Sequence, residues 1–266
     1  MPLSRTLLAF ALCLPSAATA QQPSTPLPIF DVVAIHQNKS PTDNMSIRWG
    51  GDAFIANNIT LTFLLMSGYN MREDLISGLP SWANSTHFDV NAKISDPDPD
   101  AIKKLTREQR RAMISALIAD RFHLKTHIVT KTLPVYDLVI AKSGLKLKEV
   151  TPPSDNSAPG KGPFNLKPGG FYTSDTQMTG LAIRISILAQ NLAFSVERNV
   201  IDKTGLTGKY DINLKWTPTE LQGKTDDNNS PDLFTALQEQ LGLKLEPSKG
   251  PVDTLVIDHV EMPSEN

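Results

Sequence analysis

The chain has 266 residues, 40% of them hydrophobic and 20% charged, and 26 Lys and Arg against 28 Asp and Glu give a net charge of −2. So balanced a composition exerts no general pull on nucleic acid or anionic lipid, and no nucleic-acid partner is expected. One cysteine, Cys13, excludes an internal disulfide and a cysteine metal cluster.

Arg5 precedes an apolar run, Leu7 to Leu14, and then Ala18-Thr19-Ala20. A cationic start, a short apolar stretch and small residues before a cut make residues 1–20 a signal peptide by expectation, cleaved after Ala20. The run falls short of the roughly 20 residues a membrane-spanning helix needs. Cleavage removes Arg5 and Cys13, so the mature chain carries −3 and no thiol. No later stretch is apolar enough to span a bilayer, so no integral membrane insertion of the mature chain is expected, and its place is periplasmic or extracellular.

Residues 21–29 are polar and Pro-rich, a mobile lead-in. A first unit, 30–150, opens with Phe30-Asp31-Val32-Val33-Ala34-Ile35, rich in β-branched residues and read as a strand. Gly50-Gly51 turns into a short strand, Ala53–Ala56. Thr60 caps a helix carrying Leu61, Leu64 and Leu65. Leu79–Trp82 reads as a loop. Phe88–Lys93 alternates apolar and polar residues, as a half-buried strand does. Thr106-Arg107-Glu108-Gln109 has capping-box spacing before Met113, Ile114, Leu117, Ile118 and Phe122, a single apolar stripe. Leu124–Thr130 and Val135–Ala141 then read as a hairpin turning near Pro134.

Residues 151–168 form a Pro/Gly-rich linker. The second unit, 169–262, repeats the plan. Gly169-Gly170 opens a strand through Tyr172. Thr179 stands before a helix with Leu181, Ile185, Leu188 and Leu192. Asn199–Ile201 and Tyr210–Lys215 are strands around a Gly-rich turn, Thr204–Gly208. After a polar loop, Gly223–Asn229, Ser230-Pro231 starts a helix with Phe234, Leu237 and Leu241, ended by Gly242. Leu243–Leu245 and Val252–Ile257 close as a strand pair, and 263–266 is a tail.

Phe88–Lys93 reappears as Tyr210–Lys215, and Pro134–Ile140 as Pro251–Ile257, at offsets of 122 and 117 residues in the same order. A nearly constant offset implies one folded unit and its copy. The expected class is α+β: two similar strand–helix–strand–helix–hairpin units from an internal duplication, with helices on one face of antiparallel or mixed sheets.

Candidate chemistry is sparse, and no cofactor, metal or catalytic set is assigned. His123 and His127 would need a helix to share an ion; on a strand, four residues span roughly 13 Å. Asp96-Pro97-Asp98-Pro99-Asp100 alternates carboxylates, but Ala101 and Arg107 stand where a calcium loop needs Gly and Glu. Ser143-Gly144-Leu145-Lys146 fits S-x-x-K after a strand rather than on the helix that motif requires. Trp82 and Trp216 flank the two repeated strands. With His127 they are the interaction candidates, and core or rim packing is the simpler role for either tryptophan.

FDVVAI at 30–35, LIADRF at 117–122, LPVYDLVIAKSGLKLK at 133–148, VIDKTGLTGKYDINLKWTP at 200–218 and the ending from Phe234 onward together resemble a soil-associated bacterial secreted protein family of unknown function. Relatives of that domain also occur fused to antirepressor-type membrane peptidases. No peptidase motif stands here, and the resemblance brings no catalytic residues. Phe234–Ile257, a helix, then Gly-Leu, then strands, is also similar to the short N-terminal module of secretins and TonB-dependent receptors, which binds rather than catalyses.

The expectation is a secreted or periplasmic, non-catalytic binding or interaction module of the cell envelope. Its partner would be an envelope protein, a peptide or a small ligand. The alternatives are an envelope hydrolase whose acid–base residues, Asp89, His127 and Asp211, converge in one cleft, and a self-associating envelope protein.

Overall fold

The computed structural model describes residues 28–39, 44–50, 52–94, 102, 105–151, 164–218 and 231–264. The expected signal peptide with Cys13, residues 21–27 of the lead-in, the Asp96–Asp100 run, most of the linker, the Gly223–Asn229 loop and the last two residues lie outside the described residues.

Caps set the first two helices. In α1 (Leu61–Tyr69) the Phe63 N–H donates to Thr60 Oγ1 at 3.2 Å. In α2 (Arg107–Arg121) the capping box is complete: the Gln109 N–H donates to Thr106 Oγ1 (3.2 Å) and the Thr106 N–H to Gln109 Oε1 (2.8 Å). Each bond satisfies a backbone or side-chain group that the helix itself leaves open. Leu61, Leu64, Leu65, Ile114, Leu117 and Ile118 are buried in one cluster with Val33, Ile35, Phe54, Ala56, Phe88 and Val90. Those last six come from one face of an antiparallel sheet in the order β1 (Val32–Gln37), β5 (His87–Lys93), β3 (Ala53–Thr60), β2 (Ser46–Gly50). Alternation along β5 puts Phe88, Val90 and Ala92 inside and leaves Asn91 and Lys93 exposed.

The second lobe has the same logic. Its sheet runs β10 (Tyr210–Lys215), β8 (Gln177–Ile183), β7 (Phe171–Thr173), all antiparallel. Helix α3 (Ile185–Ser195) and helix α4 (Leu233–Ala236) bury Ile185, Leu188, Leu192, Leu233 and Ala236 against Met178, Ile183, Ile212 and Leu214. A π-helical turn, Leu237–Leu241, continues α4 and stops at Gly242, whose φ of 67° is the left-handed cap expected of that glycine. A Cβ there would collide with the Gly144 carbonyl, so only glycine fits.

Three elements differ from expectation. Thr179 caps nothing: it lies in β8, and α3 begins at Ile185 after Arg184. Met178, Gly180 and Ile183 pair with β10, and Met178 and Ile183 are buried in the core, which overrides a helix beginning after Thr179. Asp232, not Ser230, caps α4, accepting from the Phe234 and Thr235 N–H groups. The two hairpins do not form. β6 (Lys125–Ile140) and β11 (Leu243–His259) are each one continuous strand, and they pair with each other, antiparallel, from Ile140↔Leu243 to Lys125↔His259. Pro134, taken as a turn, sits inside β6 opposite Lys249. It stands at a position whose main chain faces away from β11, where a missing N–H costs the ladder nothing.

This ribbon joins the lobes. Leu255 and Ile257 at one end belong to the first core; Leu138, Leu243 and Leu245 at the other end belong to the second. Between them Val135 and Val252 pack with Leu75 in a small third cluster. Two short strands complete the sheet on opposite sides, β4 (Ile76–Ser77) parallel to β11 and β9 (Val200–Asp202) parallel to β6. At the ribbon's centre Leu133 pairs with Gly250, residues 117 apart, the offset that also relates Pro134–Ile140 to Pro251–Ile257.

A second local likeness lies at the helix entries. Asn58 (φ 54°) in β3 and Ala182 (φ 49°) in β8 both adopt left-handed backbone just before a helix. In each case a neighbouring aspartate holds the bulge: the Asn58 N–H donates to Asp89 Oδ1 (2.7 Å), and the Ala182 N–H to Asp211 Oδ1 (2.8 Å). Such backbone persists only where its surroundings hold it. Asp89→Ala and Asp211→Ala should therefore each lower stability by about 1–3 kcal/mol, since each leaves a strained N–H without its charged acceptor. Chemical denaturation with a two-state fit measures it, and Ala182→Gly should recover part of the Asp211→Ala loss by relieving the left-handed strain.

Candidate functional site

The lobes meet over the middle of the ribbon, and a groove of about 430 Å³ opens there. Asn70 (φ 53°) ends α1 in left-handed backbone and turns the chain so that Tyr69, Met71 and Arg72 form one wall. Gln190, Ala193 and Phe194 of α3, with Asn199 and Val200, form the other; Pro251, Val252 and Asp253 of β11 are the floor. The groove runs on at both ends. Beyond Asn70 and Gln190 it reaches Arg107, Glu108 and Arg111 at the start of α2. Beyond Arg72 and Asn199 it reaches Leu133, Pro134 and Arg198.

Arg72 ties the walls together. Its guanidinium forks onto Asp74 (Nε to Oδ1 2.9 Å, Nη2 to Oδ2 2.7 Å), and Nη1 donates to Asn199 Oδ1 at 2.7 Å, 127 residues away. The side chain is only 11% exposed, so these bonds are partly shielded from water. Arg198 lies over the Tyr136 ring, 4.8 Å from its centroid. At the α2 end, burial pushes the Arg111 guanidinium below its ordinary pKa, opposed by Glu108. The Glu108 carboxyl is held below its usual range, first by its own backbone N–H, then by Thr106 and by Arg111 and Arg107, with burial opposing. Amides, arginines and an exposed aromatic rim equip the groove to hydrogen-bond and stack on a ligand. Among the described residues no serine, cysteine or histidine lines it.

The residues singled out from sequence lie elsewhere. Trp82 sits in a 3-10 turn (Ser81–Asn84), half-buried on the first core, edge-on to Phe88 at 6.4 Å. Trp216 is 6% exposed in the second core and edges a different hollow with Thr217 and Asp232. His127 lies on β6, its Nδ1 2.9 Å from Asp258 Oδ2, both side chains about half exposed (53% and 47%). His123 adopts φ 49° in the turn after α2. Asp89, His127 and Asp211 are on three different sheets, each engaged locally, and none lines a described cavity. The convergence a hydrolase with these residues needs is absent, because each carboxylate is spent on a backbone or side-chain group of its own lobe. Among the described residues no group of three or more His, Cys, Asp and Glu is placed to hold a metal ion, and no helix is long and apolar enough to cross a membrane.

The groove residues escaped the sequence reading. Asn70, Arg72 and Asn199 stand at helix ends and strand starts, where polar residues are ordinary. Gln190 stands off the apolar stripe of α3 and is exposed, a faint signal that this side of the helix is not core.

Residues 62–260 match a family described as Protein of unknown function (DUF3738). The chain belongs to that family. The match starts inside α1 and ends just past β11, so every residue lining the groove falls within it, whereas β1, β2 and β3 precede it. No curated protein and no solved structure matches the chain.

Arg72→Met should lower stability by about 1–3 kcal/mol, as expected when bonds to a charged, shielded group are lost. His127→Ala should change it by less than about 1 kcal/mol, the range of exposed ion pairs. Urea midpoints distinguish the two. The Asp232 carboxyl is held below its ordinary value of 3.8, first by the Thr235 hydroxyl and then by backbone N–H groups of Thr235 and Phe234, against burial. A lowered folded-state pKa stabilises above the ordinary value and is lost as pH falls through the lowered one. Asp232→Ala should cost about 1 kcal/mol at neutral pH, as cap removal does. A pH series of melting temperatures should show that cost fading in the acid range.

Proposed function

We propose that this protein is an exported, non-catalytic binding module of the cell envelope whose ligand seat is the groove between its lobes. The observation that carries the reading is a seat built jointly by both halves, cross-tied by Arg72 and Asn199, rich in amides and arginines. Wall residues from two separately packed cores converge there, the usual setting of ligand sites at domain junctions. Export rests on the Arg5, Leu7–Leu14, Ala18-Thr19-Ala20 pattern, and the likeness to secreted proteins of soil bacteria rests on the resemblance of the motifs quoted above.

We also read the lobes as products of an internal duplication. The shared offsets, the Leu133↔Gly250 pairing and the two aspartate-held bulges support it. A doubled unit places its ligand seat at the junction of the copies, where neither copy alone has a complete wall.

The test is capture from an envelope extract of the producing bacterium with tagged residues 21–266, followed by mass spectrometry. Wild type should retain a partner that Phe194→Asp loses, because Phe194 is 42% exposed on the rim. The same variant should keep its folding free energy within about 0.5 kcal/mol, as surface changes do. A partner retained equally by wild type and variant sinks the groove as its seat.

A further inference from the structure

The directions of the β6 main chain can be followed residue by residue. The Tyr136 N–H donates to the Asn199 carbonyl (2.8 Å) and the Leu138 carbonyl accepts from the Lys203 N–H (2.9 Å), so even-numbered residues of β6 face β9. The Ala141 N–H goes to the Gly242 carbonyl (2.9 Å), so odd-numbered residues face β11. Pairing with β11 runs from Ile140 to Thr126 without a register shift, which preserves this alternation. β9 covers only Tyr136–Leu138. Thr126, Ile128, Thr130 and Thr132 therefore turn their N–H and C=O groups to a side of the sheet with no strand beside it among the described residues. Ile128 is 49% exposed there, and Thr130 and Thr132 are exposed.

The outer edge of β11 is blunted, as edges in soluble proteins usually are. Its odd-numbered residues face outward, and Pro247 and Pro251 at two of those places carry no N–H. In β6 the place 117 residues before Pro247 is Thr130, and no proline stands between Lys125 and Leu133. One edge of the ribbon is closed to a further strand and the other is open for four consecutive rungs.

We infer that the β6 edge from Thr126 to Thr132 takes an extended, acidic segment of another protein as an added strand. Charge selects this occupant. Lys125, His127, Val129 and Lys131 share one face of β6, and neither lysine has an ion pair among the described residues. They are about 20 Å apart along the strand, six residues at about 3.3 Å each. Carboxylates on alternate residues of an added strand meet both. The opposite face, Thr126, Ile128, Thr130 and Thr132, is β-branched throughout and pairs best with β-branched side chains. A second copy of this chain fits badly, since its own β6 brings Lys125 and Lys131 to the same face. Main-chain rungs supply the affinity and the alternating side chains the selectivity, the general mode of strand addition. This site is separate from the groove and stands or falls without it.

The probe is a seven-residue acetylated and amidated peptide of alternating glutamate and valine, with a lysine–valine peptide as control. Fluorescence anisotropy reads binding, and amide hydrogen exchange by NMR reads its place. The glutamate peptide should bind saturably and slow exchange at Thr126, Ile128, Thr130 and Thr132 by about tenfold or more at saturation, leaving Val129 and Lys131 unchanged, because those amides are already paired to β11. Thr130→Pro removes one outward donor and the Thr130 hydroxyl bond to Asp253 but no main-chain rung to β11, and should weaken binding about tenfold, one hydrogen bond and its unpaired acceptor. Lys125→Glu/Lys131→Glu should reverse the preference between the peptides. The wild-type exchange data decide the question even if Thr130→Pro misfolds. Absence of saturable binding at millimolar peptide, protection elsewhere, or affinity indifferent to both variants overturns the inference. Protection of the same amides on raising protein concentration without peptide overturns it in favour of a second copy.

Discussion

The antiparallel pairing of β6 with β11 is the constraint on which both lobes depend. The strand that ends the first half and the strand that ends the second lie side by side for their whole lengths. β11 delivers apolar residues to both cores, Leu255 and Ile257 to the first and Leu243 and Leu245 to the second, while Leu138 of β6 joins the second. Neither core closes without a residue from beyond residue 240. Loop closure over more than a hundred residues must precede that gain, so the ribbon is the costly step of folding and the one that makes the lobes a single cooperative body.

The groove is a consequence of the same geometry. Two cores mounted toward opposite ends of one ribbon leave a gap over its centre, and the side chains that meet across it come largely from helix ends and strand starts, with Gln190 from the exposed face of α3. That explains its polar character. Helix ends carry Asn70, Arg72 and Asn199 because unpaired backbone groups there need polar company. Arg72 turns this local need into a tie between lobes, with one guanidinium serving a carboxylate of its own half and an amide of the other.

At two of the left-handed residues, the strain is answered by a fixed polar group. Asn58 and Ala182 bend their strands into α1 and α3 on the wrong side of φ, and Asp89 and Asp211 hold those bends from the adjacent strand. Two carboxylates that look like candidate acid–base groups in a list of residues thus have structural work.

Much of this was legible in the residues themselves, and the boundary of legibility has a physical cause. Signals that act within a few residues were decisive: the Thr60 cap, the Thr106–Gln109 box, the stop at Gly242, and the period-two burial of Phe88–Lys93 and Tyr210–Lys215. Each depends on one turn or one pleat, so its energy is written in neighbouring residues. Strand partnership was not legible. Leu124–Thr130 and Val135–Ala141 have the composition of a hairpin, and Pro134 the look of its turn, because nothing in a strand's own sequence names the strand it will pair with. Likewise Met178–Ile183 has an apolar content that suits helix or strand, and only the rungs offered by β10 and β7 decide between them. The groove and the open edge of β6 belong wholly to the tertiary level: one exists because two cores share a ribbon, the other because β9 is three residues long, and both are properties of which segments lie side by side.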